Sequence, residues 1–379
     1  MILTRGARIT GAVLCALLAA IVAGWIVRDL GAVAEPGQLL RYWAGFEDAR
    51  LPAMPAASTV DVALFVVYVV VALVVPRSTV AASALVATGV LTLAFRLPGL
   101  WNIGTSRMGH QYSDELRTRA LICAFVAVGA AIAMLITAGA GRRPPADLAE
   151  RVPVRPGQGA GALAFLLLGA SAAVRAAWEI WQLVKNPGLF PDWYLGGDLA
   201  FRGLIDPPQG WTSAFVVLLC LFAGVSALAR APHARPFGLI AAGILLPSAA
   251  SLLNRSLDSG VLERFGELSV EHQLLVLSWT FELIAGAAVL VVLAVRGPAD
   301  VSVPPYQGYE PEYGQDHGHP GPDPGQGYGY PGSGPGEGYG YPASGPGPGN
   351  GHPGSDPGAF GPHPPHQPPP PPSQPPPGW

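Results

Sequence analysis

Residues 141–158 read GRRPPADLAERVPVRPGQ, a short basic segment carrying Arg142, Arg143, Arg151 and Arg155 between two long apolar stretches. Working outward from it, four apolar runs precede the segment, at about Ile9–Val27, Val60–Val75, Val80–Phe95 and Leu121–Ala140. Four more follow, at Ala160–Trp178, Trp211–Leu228, Phe237–Leu253 and Leu274–Val295. A helix needs roughly 20 residues to cross about 30 Å of hydrocarbon, and most of these runs are near that length. The reading is an all-α protein, a polytopic membrane bundle of eight transmembrane helices followed by a disordered C-terminal tail. Its parts are a first four-helix unit over 1–140, the basic linker at 141–158, a second four-helix unit over 159–296, and a Pro/Gly/Tyr-rich tail over 297–379.

Composition agrees with a bilayer solvent. Half of the 379 residues are hydrophobic and only 12% are charged, against about a quarter in soluble domains. The formal charge of −3 divides unevenly. No Lys or Arg follows Arg296, whereas Asp300, Glu310, Glu312, Asp316, Asp323, Glu337 and Asp356 all do. An acidic tail without a cation excludes nucleic acid as a partner, because phosphate backbones need clustered Lys or Arg. Cys15, Cys123 and Cys220 each fall inside an apolar run with no CxxC spacing, so neither a disulfide framework nor a zinc site is expected. The first run reads as a retained helix rather than a leader, since Arg28 and Asp29 intervene before Ala32-Val33-Ala34.

Orientation follows from arginine. With the N-terminus inside, the short inner connections hold Arg5, Arg8, Arg77, Arg142, Arg143, Arg151, Arg155, Arg230, Arg235 and Arg296, a higher density than in the long outer loops. An even number of spans then places the tail in the cytoplasm too, at the plasma membrane.

The halves share a pattern. Pro36-Gly37 followed by Tyr42-Trp43 and Gly45 matches Pro187-Gly188 followed by Trp193-Tyr194 and Gly196 at one common offset. Phe65-Val66-Val67 pairs with Phe215-Val216-Val217, and Gly129-Ala130-Ala131 with Gly286-Ala287-Ala288. The expectation is a duplication of four helices, giving parallel repeats about an axis along the membrane normal.

The tail repeats GQGYGYPGSGP from Gly325 as GEGYGYPASGP from Gly336 and ends in a proline run, Pro368–Pro372. Such composition lacks the apolar mass for a core and favours polyproline II, the form that aromatic-lined grooves of protein partners recognise. The whole composition, with arginine almost replacing lysine and a Pro/Gly-rich tail, resembles that of multi-pass integral membrane proteins of actinobacteria. That likeness implies a membrane compartment and no activity.

No GxSxG, HExxH, Walker A or dinucleotide-binding pattern stands in a fitting context, and no catalytic residue, cofactor or metal is implied. His110-Gln111 and His272-Gln273 read as solvated loop residues. The informative polar residue is Glu282, inside LSWTFELIAGAAVLVVLAVRG. An ionisable group at that depth needs a partner. Arg175 and Asp61 fall at similar height, all three roughly 21–24 Å from the inner boundary at about 1.5 Å per residue. They form a candidate polar layer, either a structural Arg175–Glu282 ion pair with Asp61 at the outer interface, or a proton or cation site centred on Glu282. Tyr42, Trp43, Phe46, Trp101, Trp178, Trp181, Trp193 and Tyr194 are expected at the headgroup level. Leu39-Leu40, Trp43 and Phe46 suit a short helix lying on the outer leaflet, and Arg96 and Arg255 read as interface anchors. Three functions follow in order: a non-enzymatic anchor or scaffold with a cytoplasmic interaction tail, a secondary transporter using Glu282, and an intramembrane enzyme.

Overall fold

The computed structural model describes residues 2–46, 54–144, 155–197 and 203–295. Among them eight helices are long and apolar enough to cross a membrane. Helix α1 (Arg5–Ala32) is followed by a short α2 (Pro36–Ala44), then α3 (Thr59–Val74) and α4 (Ala81–Arg96). Two short helices, α5 (Gly99–Asn102) and α6 (Ser106–Gln111), lead to α7 (Asp114–Ala140). The second half has α8 (Gln158–Lys185), a short α9 (Phe190–Leu195), α10 (Gln209–Leu228), α11 (Ala234–Asp258) and α12 (Val270–Ala294). The tail and residues 145–154 of the basic linker lie outside the described residues.

The helices start where the sequence supplies an acceptor for their first free N–H groups. Thr4, Ser113 and Ser269 cap α1, α7 and α12, each accepting from the backbone N–H three residues on. Asp114 and Glu115 in α7 and Glu271 in α12 add negative charge at the positive end of the helix dipole. Several helices overrun their apolar runs. In particular α8 continues past Trp178 to Lys185, which carries Glu179 and Gln182 onto the same helix as Arg175.

The spans alternate between two faces. On the terminal face, Ile2 and Leu3 pair with Arg143 and Arg142 as two short antiparallel strands, β1 (Ile2–Leu3) and β2 (Arg142–Arg143). There Arg230 donates to the Pro156 carbonyl, and Arg235 donates to the Leu293 and Ala294 carbonyls. The opposite face carries α2, α5, α6, α9 and the long connections, and is called the loop face below.

Neighbour order is the same in both halves. In the first, α1 packs on α3 and α7, and α4 packs on α3 and α7; in the second, α8 packs on α10 and α12, and α11 packs on α10 and α12. The halves meet where α3 and α4 face α10 and α11. Small residues permit the closest crossings, as membrane helices require in the absence of a hydrophobic drive between them. At Gly161 of α8 an added Cβ would run into the Ala227 carbonyl of α10. Helix α4 is the most enclosed span, with 56% of its apolar window buried, so it forms the centre of the bundle. Outward-facing Val13, Leu73, Phe125, Leu166, Leu218, Ile284 and Val291 are exposed, an apolar belt that only lipid covers favourably.

One expected surface helix is held by protein on one face: in helix α2, Leu39 and Trp43 are buried, at 0% and 7% exposure, in a cluster with Trp25, Ala57, Met108 and Tyr112, while Leu40 is exposed. Its C-terminal Gly45, at φ 94°, sits against the Ser251 carbonyl of α11, where any Cβ would collide. Asn254 Nδ2 donates to the Ala44 carbonyl at 3.0 Å. The amphipathic pattern that fits a membrane surface fits a protein groove equally well, and here the groove holds it.

Candidate functional site

Two polar layers occupy the loop-face side of the bundle, one in each half. In the first, Asp61 is 1% exposed and bonds through one oxygen to Arg96 Nη2 at 2.5 Å. Its other oxygen accepts from the Ser58 N–H at 2.8 Å, fixing the first turn of α3. Arg96 is 8% exposed and its Nη1 donates to the Ile205 carbonyl at 3.1 Å, while Ser58 Oγ donates to Asp206 at 2.6 Å. The expectation of Arg96 as an interface anchor is therefore corrected. Its height near the end of α4 is as read, but it points inward, where a carboxylate and a carbonyl replace water. Asp61 likewise belongs to Arg96 rather than to a layer with Glu282 or to the outer interface. Arg255 is exposed.

In the second half, Arg175 of α8 donates from Nη2 to Glu282 Oε2 of α12 at 2.6 Å, and Glu282 is 3% exposed. One turn nearer the loop face, Trp178 Nε1 donates to Ser278 Oγ at 3.0 Å between the same helices. Next to Trp178 and one turn on from Arg175, Glu179 accepts from Trp193 Nε1 at 3.0 Å and from Tyr194 Oη at 2.9 Å. Burial, and then the hydrogen bond to the Glu179 carboxylate, push the Tyr194 hydroxyl up to about 12, so it stays protonated as a donor. Burial also pushes the Tyr112 hydroxyl up; it donates to the Pro55 carbonyl at 3.1 Å.

The aromatic residues expected at headgroup level are thus tied to protein groups. Trp43 Nε1 donates to the Ala57 carbonyl at 3.0 Å, Trp101 Nε1 to the Leu195 carbonyl at 2.8 Å, and Trp193 and Tyr194 to Glu179. Tyr42 is partly buried against the cluster around Trp43. His110 and His272 are exposed.

The two halves differ in what fills their loop-face mouths. Segment 54–58 inserts into its own half: the Ala57 N–H donates to Asp29 Oδ2 at 2.7 Å, and Ala56 and Ala57 are buried. The corresponding segment of the second half, 203–207, crosses over instead. Leu204 and Ile205 bury themselves with Trp25, Trp43 and Ala57 of the first half, and the Ile205 carbonyl meets Arg96. The first half is therefore stoppered twice, leaving a void of about 20 Å³ beneath Arg96 and Ile205. The second half gives up its stopper and keeps a cavity of about 370 Å³. Arg175 and Glu282 line this cavity, with Glu179, Glu271, Asp206, Trp178, Trp193 and Trp279. Ser213, Ser248, Ser251 and Ser278 add hydroxyls from α10, α11 and α12.

Sequence reasoning singled out Arg175 and Glu282 but missed Glu179, Glu271, Asp206 and Trp279 as cavity groups. A signal was present: Arg175, Trp178, Glu179 and Gln182 recur at helical spacing and so share one face of α8. Comparison with protein-family models, curated proteins and solved structures found no match, so the chemistry of the site rests on its own geometry.

Proposed function

We propose that this integral membrane protein is a solute carrier whose second half holds the solute in the cavity between α8, α10, α11 and α12. The observation that carries the reading is the 370 Å³ polar cavity with a buried Arg175–Glu282 ion pair on its wall. Its volume falls in the range of about 300–1,000 Å³ found for small-molecule sites. An ionised pair inside a membrane span is costly and marks a pathway or a binding site. Two halves with one neighbour order, meeting through α3, α4, α10 and α11, supply the paired bundles that rock against each other in carriers built from parallel repeats. In this reading the two halves are a duplication, the terminal face with its arginines is cytoplasmic, and the loop face opens outward at the cell membrane.

The test needs no knowledge of the solute. In a chain with Cys15, Cys123 and Cys220 replaced by Ala, Ser278→Cys is exposed to a membrane-impermeant thiol reagent from one side of the vesicle at a time. A carrier passes through states open to each side, so Cys at 278 reacts from both. Reaction from the loop face alone leaves a binding protein and refutes transport.

A second reading keeps the protein as an anchor for its tail. The observation favouring it is the repeated GYGYP motif, GQGYGYPGSGP then GEGYGYPASGP, which supplies multivalent proline-rich ligand to aromatic grooves. Binding of a proline-recognising domain to the full chain, lost on truncation after residue 304, is its test.

A further inference from the structure

We propose that the cavity selects an organic cation of the alkylammonium class, an assignment that rests on the carrier reading and specifies its solute. The first ground is charge. Glu179, Glu271, Glu282 and Asp206 line the space against one cation, Arg175, which is already committed to Glu282 at 2.6 Å. Asp206 is held by Ser58 on the side of the cavity nearest Arg96. Glu179 and Glu271 are different. Their partners among the described residues are neutral donors: Trp193 and Tyr194 to one oxygen of Glu179, and Trp181 to one oxygen of Glu271. Such donors bring no formal charge to set against the carboxylate. Lys185, further along α8, lies over the Trp181 ring at 4.7 Å and does not line the cavity. The second oxygen of Glu179 makes no hydrogen bond among the described residues, and neither does that of Glu282. Arg175 Nε is buried with no hydrogen-bond partner among the described residues, yet four carboxylates outnumber this one guanidinium around the space, so the net field of the cavity repels an anion.

The second ground is the distribution of these carboxylates. Glu179 stands on α8, Glu271 and Glu282 on α12, and Asp206 on the segment before α10. Among the described residues no three acidic, His or Cys side chains converge to hold a metal ion. Hard metal ions need several oxygens converging within about 2.6 Å. Carboxylates spread around a roomy space instead suit an ion whose charge is diffuse and whose body is large.

The third ground is the aromatic wall. Trp178, Trp193 and Trp279 line the same space. The N–H groups of Trp178 and Trp193 are occupied by Ser278 and Glu179, so what these indoles bring to a ligand is ring surface. Indole rings beside carboxylates form the environment in which quaternary and alkylated ammonium groups gain both cation–π and ionic attraction. The serine hydroxyls on α11 and α12 accommodate a polar substituent on such a cation.

The experiment compares choline with 3,3-dimethylbutan-1-ol, its neutral carbon isostere, and with glucose. Binding to the full chain in detergent is read by tryptophan fluorescence and by thermal midpoint. The expected result is choline binding at least about tenfold more tightly than the isostere. Glu179→Gln and Glu271→Gln should each weaken choline severalfold and leave the isostere unchanged. Glu271 is exposed at the mouth, so its variant tests the charge at a small structural cost, the loss of one first-turn helix charge. Equal affinity for choline and the isostere, or binding of glucose alone, overturns the cation assignment while the solute cavity stands. Binding of none of the three overturns the assignment as well. The carrier reading then falls separately only if Ser278→Cys also reacts from the loop face alone.

Discussion

Removing one member of the Arg175–Glu282 pair should damage the protein more than removing both. Arg175→Met leaves Glu282, 3% exposed, as a carboxylate with no cation beside it. Breaking a buried pair in this way costs about 3–5 kcal/mol, because the remaining charge loses its partner while only 3% of Glu282 is exposed to take up water in exchange. At about 2 °C per kcal/mol, the low end for chains of 150–250 residues, the thermal midpoint in detergent should fall by roughly 6–10 °C. Glu282→Leu combined with Arg175→Met removes both charges at similar volume and should recover most of that loss, since a packed apolar pair is often as stable as a buried ionic one. Arg119→Met is the control. Its pair with Glu115 has side-chain exposures of 65% and 72%, and exposed pairs contribute at most about 1 kcal/mol. If Arg175→Met lowers the midpoint no more than Arg119→Met, or if the double variant falls as far as the single, the pair is not buried as described.

Further outcomes follow from the other contacts. Asp61→Asn should lower the midpoint by an amount comparable to Arg175→Met, because it strips Arg96 of its counter-charge. Trp43→Phe leaves the buried Ala57 carbonyl without its donor and should cost about 1–3 kcal/mol in the same assay. Tyr194 holds its proton to about pH 12 when folded, against about 10 unfolded. Its contribution to stability is therefore complete below pH 10 and lost as pH rises toward 12, and the ultraviolet tyrosinate titration of Tyr194→Phe should lack one late step near pH 12. Glu179→Gln should move that step to lower pH.

The membrane fold was legible because a span imposes a minimum apolar length, and the eight runs came near it, the helices built on them reaching at least 19 residues each. Height was legible only in part: Asp61 and Arg96 stand in the loop-face turns of α3 and α4, but α8 and α12 run on past their apolar stretches, which leaves Arg175 ten residues from the end of its helix and Glu282 midway along α12. What periodicity within one helix does not give is the rotation of that helix against its neighbours. Asp61 therefore was read toward Glu282 although its partner is Arg96, on the adjoining helix. Glu179, Glu271 and Asp206 escaped notice because they lie beyond the apolar runs, where a carboxylate reads as solvated. Trp43 and Trp193 were read toward lipid headgroups because an amphipathic ring satisfies itself equally at a headgroup or at a buried carbonyl or carboxylate. The crossing of 203–207 onto the first half left no mark in composition, since Leu204 and Ile205 are apolar whichever half they enter.

That crossing is the central claim, because it seals one half and opens the other. The most direct measurement is an electron cryomicroscopy map of the full chain in lipid nanodiscs. The account predicts density for Ile205 seated over Arg96, with an open solvent-filled space between Trp178, Glu179 and Ser251. Density placing 203–207 over its own helices, closing that space, would contradict it.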